Sequence, residues 1–499
     1  MEIQFQRTGR SFLDVALCEV RNTEQTLELR LNDGMPDIGR IVTAWGQCVL
    51  RSKEWHREDV TVGGGIMMWV LYVPEDGTEP RMAEGWLPFQ LKWDLPQDCP
   101  EGRLQVRMLS RFADARMVSS RKMLLRAGAA VMAEAFVPME MEVWSVGEVP
   151  KDVQLLRTHF PVRYYAEAGE KSFQLDEDLE LPGSAPRPEK LIYYTMTPET
   201  TESKVLGDKV VFRGNGNLHV LYRSEEGQLH SWDFTVPFSQ FAQLPQGRSA
   251  EADVDAALCV TNLELRLEEG GLLRLKCALT GQYLIGEREL IEFVEDAYSP
   301  ERELILQTEN TAFPVVLETR TEVFHPEQKV QADADLAADL RFLPDFSRQY
   351  TGGNGVKLEI PGTFQVLYYG ENGSLQASTT RWEGNWEIPK DAESRMAVIP
   401  MAAQEPQFAL TDGAVSLKTQ LPIQTRSVAR QVIPAVTGIR LGELREPDPG
   451  RPSVILYRAG HVGLWQLAKE NGSTVEAIRS ANGLQEDPEP GRMLLIPVP

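Results

Sequence analysis

Hydrophobic and polar residues alternate through most of the chain, the period-two pattern of half-buried β-strands, and almost no stretch before residue 450 follows the 3.6-residue period of a helix. The clearest strand recurs three times, as Ile66-Met-Met-Trp-Val-Leu-Tyr-Val-Pro-Glu-Asp-Gly77, Asn217-Leu-His-Val-Leu-Tyr-Arg-Ser-Glu-Glu-Gly227 and Thr363-Phe-Gln-Val-Leu-Tyr-Tyr-Gly-Glu-Asn-Gly373. Its Val-Leu-Tyr begins at 70, 220 and 366, at spacings of 150 and 146 residues. One face of each copy is apolar: Met68, Val70 and Tyr72; Leu218, Val220 and Tyr222; Phe364, Val366 and Tyr368. The other face is mixed, with His219, Leu221 and Arg223 in the second copy and Gln365, Leu367 and Tyr369 in the third. Five residues after each tyrosine stands Gly77, Gly227 or Gly373, which predicts a hairpin turn at positive φ.

The flanks repeat as well. Phe12-Leu13-Asp14-Val15, Phe160-Pro161-Val162 and Phe313-Pro314-Val315 precede the three strands, and each strand follows a glycine link: Gly63-Gly64-Gly65, Gly214-Asn-Gly216 and Pro361-Gly362. Leu87-Pro88-Phe89, Val236-Pro237-Phe238 and, more weakly, Glu387-Ile388-Pro389 come after. Recurrence at this period predicts three tandem all-β, sandwich-like repeats over residues 1–150, 151–304 and 305–444. Glu446-Pro-Asp-Pro-Gly-Arg-Pro452 reads as a stiff linker over 445–452 that carries few contacts.

Beyond it the pattern changes. Val454–Arg458 is a short strand; Leu464, Leu467 and Ala468 fall on one helix face; Asn471-Gly472 ends that helix. Ser473-Thr-Val-Glu476 has the form of a capping box with Ser473 as the cap, Asn482-Gly483 stops the second helix, and Met493–Ile496 closes as a strand. The order over 453–499 is β-α-α-β, with Trp465, Ile478 and Leu495 expected in its small core.

Composition narrows the function. A net charge of −22, from 73 acidic and 51 basic residues, disfavours nucleic acid and anionic lipid as partners. Cys18, Cys48, Cys99, Cys259 and Cys277 are odd in number and irregular in spacing, which predicts buried reduced thiols and neither a disulfide framework nor a zinc site. The start has no signal-peptide pattern and no apolar run approaches the ~20 residues that span a bilayer, so the chain is expected to stay in the compartment of its synthesis. No phosphate-binding loop, dinucleotide fingerprint, HExxH or Gly-x-Ser-x-Gly elbow occurs. His219 and His230 stand where the second hairpin would set them face to face, as an exposed cross-strand pair. The expectation is a non-enzymatic chain with no cofactor and no metal.

Residues 457–497 resemble a LysM domain, through Gly460, Leu464-Trp465, Leu467-Ala468, Val475-Glu476-Ala477-Ile478, Asn482-Gly483-Leu484, Pro490-Gly491 and Leu494-Leu-Ile-Pro497. The resemblance implies an N-acetylglucosamine groove between two loops, which here hold Gly460, His461, Val462 and Gly463 on one side and Asn482, Gly483, Leu484, Glu486 and Asp487 on the other. Where most LysM domains read Gly-Asp-Thr-Leu-Trp, this chain reads Gly460-His-Val-Gly-Leu-Trp465, with one residue more and no Asp or Thr. That change favours a protein ligand over a sugar. The repeats, with Met35-Pro36-Asp37 and Leu343-Pro344-Asp345, resemble the SPOCS domain, which occurs with a C-terminal LysM module in spore-coat morphogenetic proteins of endospore formers. This resemblance implies a structural adaptor in the mother-cell cytoplasm at the forespore outer surface and spore coat. There it would tether the coat's basement-layer ATPase (stage IV sporulation protein A), and other coat proteins, through the LysM module. The alternative is a protein that binds peptidoglycan or its lipid-linked precursor.

Overall fold

The computed structural model describes residues 2–77, 79–331, 334–345, 348–352, 355–370, 372–389, 395–399, 401–411, 413–446 and 450–498. After the short β1 (Glu2–Gln4), the first repeat is β2 (Gln6–Arg30), β3 (Ile38–Trp55), β4 (Asp59–Pro74), β5 (Arg81–Asp94), β6 (Arg103–Ser119) and β7 (Lys122–Ser145). The second is β8 (Gln154–Leu179), β9 (Pro188–Leu206), β10 (Lys209–Ser224), β11 (Leu229–Gln243), β12 (Asp253–Leu267) and β13 (Leu273–Tyr298). In the third, several strands are split: β14 (Arg302–Phe324), β15 (Glu327–Gln331), β16 (Ala334–Pro344), β17 (Arg348–Gly352), β18 (Gly355–Gly370), β19 (Leu375–Pro389), β20 (Arg395–Ile399), β21 (Gln404–Thr411) and β22 (Ala414–Leu444). The mainly β fold with a small helical C-terminal module is the one the pattern predicts.

Each repeat is a sandwich of two antiparallel sheets. One sheet is built on the central strand, in the orders β3-β4-β5, β9-β10-β11 and β16/β17-β18-β19. The other joins the first, fifth and sixth strands: β2-β7-β6, β8-β13-β12, and β14-β22 with β20 and β21. Val70, Val220 and Val366 lie on the central strands β4, β10 and β18 and are fully buried, each in the core of its own sandwich together with Met68 and Tyr72, Leu218, and Phe364 and Tyr368 respectively, while Tyr222 is buried outside that cluster. Burying a side chain of this size contributes roughly 1.5–3 kcal/mol. Gly77, Gly227 and Gly373 take φ of +67°, +86° and +69° in the turns that follow, as the pattern predicts.

The recurring motifs have physical causes. A Cβ on Gly64 would stand 2.9 Å from the Phe89 ring, and one on Gly214 would stand 2.8 Å from Phe238, so the glycine links admit the aromatic of the following Pro-Phe pair. At Pro161 and Pro314, β8 and β14 pair on one side only, where a missing N–H is tolerated. Leu13 holds the same place in the first repeat, and it is the residue at which β2 pairs with β8 through Tyr165, so an N–H is kept there.

The mixed faces of the central sheets are not solvated. They meet in one apolar cluster that includes Trp45, Trp69 and Leu71 of the first repeat, Ile192, Tyr193 and Leu221 of the second, and Ala338, Leu367 and Leu375 of the third. Polar groups in this junction are matched: Tyr193 donates to Asp339 Oδ2 at 2.8 Å, and Gln365 donates to Thr43 and to the Ala44 carbonyl. His219 is part of it. It lies opposite Asp233, while His230 lies opposite Tyr222, so the expected histidine pair does not form. Its ring nitrogens contact Asp233 Oδ1 at 2.6 Å and Asp339 Oδ1 at 2.8 Å. A four-charge cluster ties the repeats together a second time, through Arg107, Glu134, Asp255 and Arg426.

Past the sandwiches, the long ends of β2/β7, β8/β13 and β14/β22 bring Phe12, Met141, Val162, Ile291, Phe293, Val315 and Ile433 into one core shared by all three repeats. The 26 residues of β13 begin in the core of its sandwich, at Leu273–Leu279, and end at Tyr298 against the C-terminal module. Residues 447–449 of the expected linker lie outside the described residues. Cys48, Cys259 and Cys277 are buried and unpaired, as expected, whereas Cys99 is half-buried and Cys18 is exposed, its thiol 3.9 Å from the buried Glu134 carboxylate.

Candidate functional site

The C-terminal module pairs β23 (Val454–Arg458) with β24 (Met493–Pro497) and packs α1 (Leu464–Glu470) and α2 (Val475–Asn482) against one face of the pair. Ile455, Tyr457, Leu494 and Ile496 point inward to Leu464, Leu467, Ala468 and Ile478. Leu495 falls on the opposite side of the two-residue period and is 44% exposed, so it is not the core residue the sequence suggested. Gly472 and Gly483 end the helices at φ +60° and +61°, in the left-handed conformation expected of them. The cap of α2 is Thr474, not Ser473: Thr474 Oγ1 accepts the Ala477 N–H at 3.0 Å. Ser473 is fully buried one residue earlier and donates its hydroxyl to the Pro497 carbonyl, which ties the helical turn to the last strand.

The two loops of the expected groove lie side by side at their roots. Ala459 N–H donates to the Arg492 carbonyl and Gly491 N–H to the Ala459 carbonyl, both at 2.7 Å. Gly460, His461, Val462 and Gly463 are exposed on one loop, and Glu486 and Asp487 on the other. The remaining three residues build the second loop. The Asn482 amide donates to the carbonyls of Ile478 and Leu495 and accepts the Leu495 N–H, so all its bonding capacity toward the module is used. Gly483 supplies the positive φ, and Leu484 is half-buried against the module core. The groups left for a ligand are the backbone of 460–463, His461, the exposed aliphatic Val462, and the carboxylates of Glu486 and Asp487. Asp487 has Arg479 3.9 Å away.

Sequence reasoning missed what lies beneath the module. Asp296 and Tyr298, at the end of β13, form its seat. Trp465 Nε1 donates to Asp296 Oδ2 at 2.8 Å, Lys469 Nζ lies 2.7 Å from the same oxygen, and Tyr298 donates to the Ser473 carbonyl at 3.0 Å. The Tyr298 and Trp465 rings meet edge to face with centroids 4.8 Å apart. Burial alone would raise the Asp296 pKa, but the hydrogen bonds from Lys469 and Trp465 outweigh it and hold the carboxyl below the usual range. The linker therefore does not leave the module free, as few contacts would have implied. No local signal marks the pair, because Asp296 is one of many strand carboxylates and its partner lies 169 residues away.

Among the described residues no cluster of histidine, cysteine and carboxylate groups is arranged to hold a metal ion. The architecture is that of a repeat-built β scaffold carrying a small binding module. Residues 188–268, from β9 through β12, match the family model of the SipL SPOCS domain, and residues 464–497 match that of the LysM domain. The chain thus combines a SPOCS domain of the SipL kind with a C-terminal LysM domain, as its motifs indicate. No curated protein and no solved structure matches it. Both matched families are binding domains, and the chain is accordingly a sporulation-associated protein with a module of the peptidoglycan-binding class.

Proposed function

We propose that this chain is a non-enzymatic structural adaptor of endospore coat assembly, which tethers the coat's basement-layer ATPase, stage IV sporulation protein A, to the growing coat through its LysM module. The observation that carries the reading is the seating of that module: Asp296 and Tyr298 hold α1 and the turn before α2, while the loops bearing His461, Val462, Glu486 and Asp487 stay exposed. A module fixed on a long β stalk loses little further freedom on docking a large partner, which favours a protein ligand. In the groove Val462 is the apolar centre and Glu486 and Asp487 the polar rim. The two domain matches support the sporulation setting, and among the described residues no helix is long and apolar enough to cross a membrane.

In this reading residues 1–150, 151–304 and 305–444 are three SPOCS-like units and 453–499 the LysM module, the site of action is the mother-cell side of the forespore surface, and neither cofactor nor metal takes part. The second reading, recognition of peptidoglycan or its lipid-linked precursor through N-acetylglucosamine, is favoured by the LysM match itself. A pull-down from sporulating cells with the full chain and with a chain ending at residue 449 tests both. Retention of the ATPase by the full chain alone supports the adaptor. Binding of chitin oligomers with no protein retained replaces it with the second reading.

A further inference from the structure

The three repeats contact one another in a cycle: β3 of the first packs on β12 of the second, β16 of the third packs on β6 of the first, and β9 of the second meets β21 of the third through Glu199 and Gln404. The fifth strands of the first two repeats carry a one-residue bulge at the same place, Arg111 in β6 and Thr261 in β12. In the third repeat the strand is interrupted instead, β20 ending at Ile399 and β21 beginning at Gln404. Each bulge meets a neighbour. Arg111 binds Asp345 of the third repeat through two hydrogen bonds, 2.9 and 2.7 Å, and the carbonyl of Thr261 accepts from Arg51 of the first at 3.2 Å.

Glu199 of the second repeat is the counterpart of Asp345. Glu199 lies opposite Asn215 and Asp345 bonds to Pro361, each five residues before its repeat's Val220 or Val366. Glu199 faces the interrupted strand through Gln404, and among the described residues no arginine pairs with it. Its carboxylate accepts only carboxamide donors, Gln404 Nε2 at 3.0 Å and Asn217 Nδ2 at 3.3 Å, and among the described residues no cation pairs with it. A cavity of about 660 Å³ opens at this junction, lined by all three repeats, with Glu199, Met401 and Gln404 among its walls. Ser110 and Thr200 contribute to its lining, but their hydroxyls are buried away from the open space and, among the described residues, have no hydrogen-bond partner. Of the other charges in the lining, Arg107 is matched with Glu134 and Asp255 and His219 with Asp233 and Asp339, while Arg341 donates to Thr195 Oγ1 at 2.6 Å and lies over the Tyr193 ring.

We propose that this cavity binds a guanidinium group, seated against Glu199 in the place that the Arg111 guanidinium takes against Asp345. A planar fork of N–H donors suits a carboxylate with free lone pairs. The group arrives either on a free small molecule or as an arginine side chain of a polypeptide. This inference does not depend on the LysM reading.

Calorimetric titration of the full chain at fixed ionic strength, with agmatine and with the peptide Gly-Arg-Gly, tests it. The expected result is one saturable site for agmatine, weakened by at least about tenfold in Glu199→Gln. Competition by Gly-Arg-Gly assigns the site to polypeptide arginine, and binding of agmatine alone assigns it to a free guanidine. Met401→Arg should fill the cavity from within, abolish agmatine binding and raise the melting temperature. Absence of saturable binding by either probe, unchanged affinity in Glu199→Gln, or undiminished agmatine binding by Met401→Arg overturns the proposal.

Discussion

The indole of Trp465 donates a 2.8 Å hydrogen bond to Asp296, a residue of the second repeat, and with it the LysM module becomes part of the scaffold. The same ring packs edge to face on Tyr298, and Lys469 adds an ion pair to the carboxylate. Trp465→Ala removes the ring contact and the hydrogen bond together. A bond to a charged acceptor and an aromatic pair are jointly worth about 3 kcal/mol. Hydrogen exchange should therefore quicken at residues 296–298 and 464–473, while the helices keep their far-ultraviolet signal. Unchanged exchange at Tyr298 would show that the seat is held by other contacts.

The seat should also loosen in acid. Because the Asp296 carboxyl is held below its ordinary value of 3.8, its contribution is complete above that pH and is lost as pH falls through the lower, folded-state value. Asp296→Asn should lack this acid-side dependence, which tryptophan fluorescence measured from pH 5 downward would reveal by comparison with the unaltered chain.

His219 should give the opposite slope. Burial pushes its pKa down, but Asp339 and Asp233 on its two ring nitrogens outweigh burial and raise it to about 9. Its contribution is thus complete below roughly pH 6.5, the ordinary histidine value, and is lost as pH rises toward 9. His219→Leu leaves Asp339, whose side chain is only 2% exposed, with Tyr193 as its hydrogen-bond donor and, among the described residues, no ion-pair partner. The expected loss is about 3 kcal/mol near neutral pH. Denaturant melts of both chains between pH 6 and 9.5 check it; parallel pH dependence in the two would refute the bridge.

Gly227 sits at φ +86° with open space where a side chain would begin, so a substitution there meets backbone strain and no clash. Gly227→Val should lower stability by about 1 kcal/mol or more, and Gly227→Asn by less, because asparagine tolerates the left-handed region. Equal melting temperatures for the two variants would show that the turn relaxes to another conformation.

The readable parts of the fold were those encoded by short-range pattern. Val-Leu-Tyr with its trailing glycine identified three equivalent strands because a strand's core face and its turn are fixed by neighbours in the chain. The second face of the same strands was not readable. Trp69, His219 and Gln365 occupy one equivalent position, yet they differ in chemistry because each meets a different repeat. Within the LysM module the helix stops were legible from Gly472 and Gly483, while the cap shifted by one residue because Ser473 is drawn into a bond with Pro497. Asp296 and Tyr298 had no signature at all. Their role arises from the path of β13, which brings the end of the second repeat beneath a module that starts some 150 residues later in the chain.

The last prediction concerns which face of the LysM module selects its ligand. Asn482 is committed to the module's own backbone, so Asn482→Ala should unfold the α2–β24 junction and says little about recognition. Val462 and the Glu486–Asp487 pair are exposed and, apart from the 3.9 Å approach of Arg479 to Asp487, take no part in holding the module together. Val462→Asp places a charge at the proposed apolar centre of a protein interface, where an unpaired, desolvated carboxylate costs several kcal/mol, and should weaken capture of the coat ATPase by about a hundredfold. Glu486→Lys with Asp487→Lys reverses the rim and should act mainly on the association rate, with a clear dependence on salt. A sugar site would respond differently. Chitin-oligomer binding would tolerate Val462→Asp, because an added acceptor can bond to hydroxyls, and would be nearly insensitive to salt. Surface plasmon resonance with the full chain immobilised, comparing the ATPase with chitin oligomers at two ionic strengths, separates the two. Loss of oligomer binding with intact ATPase binding in the Val462→Asp chain would move the protein interface away from this groove.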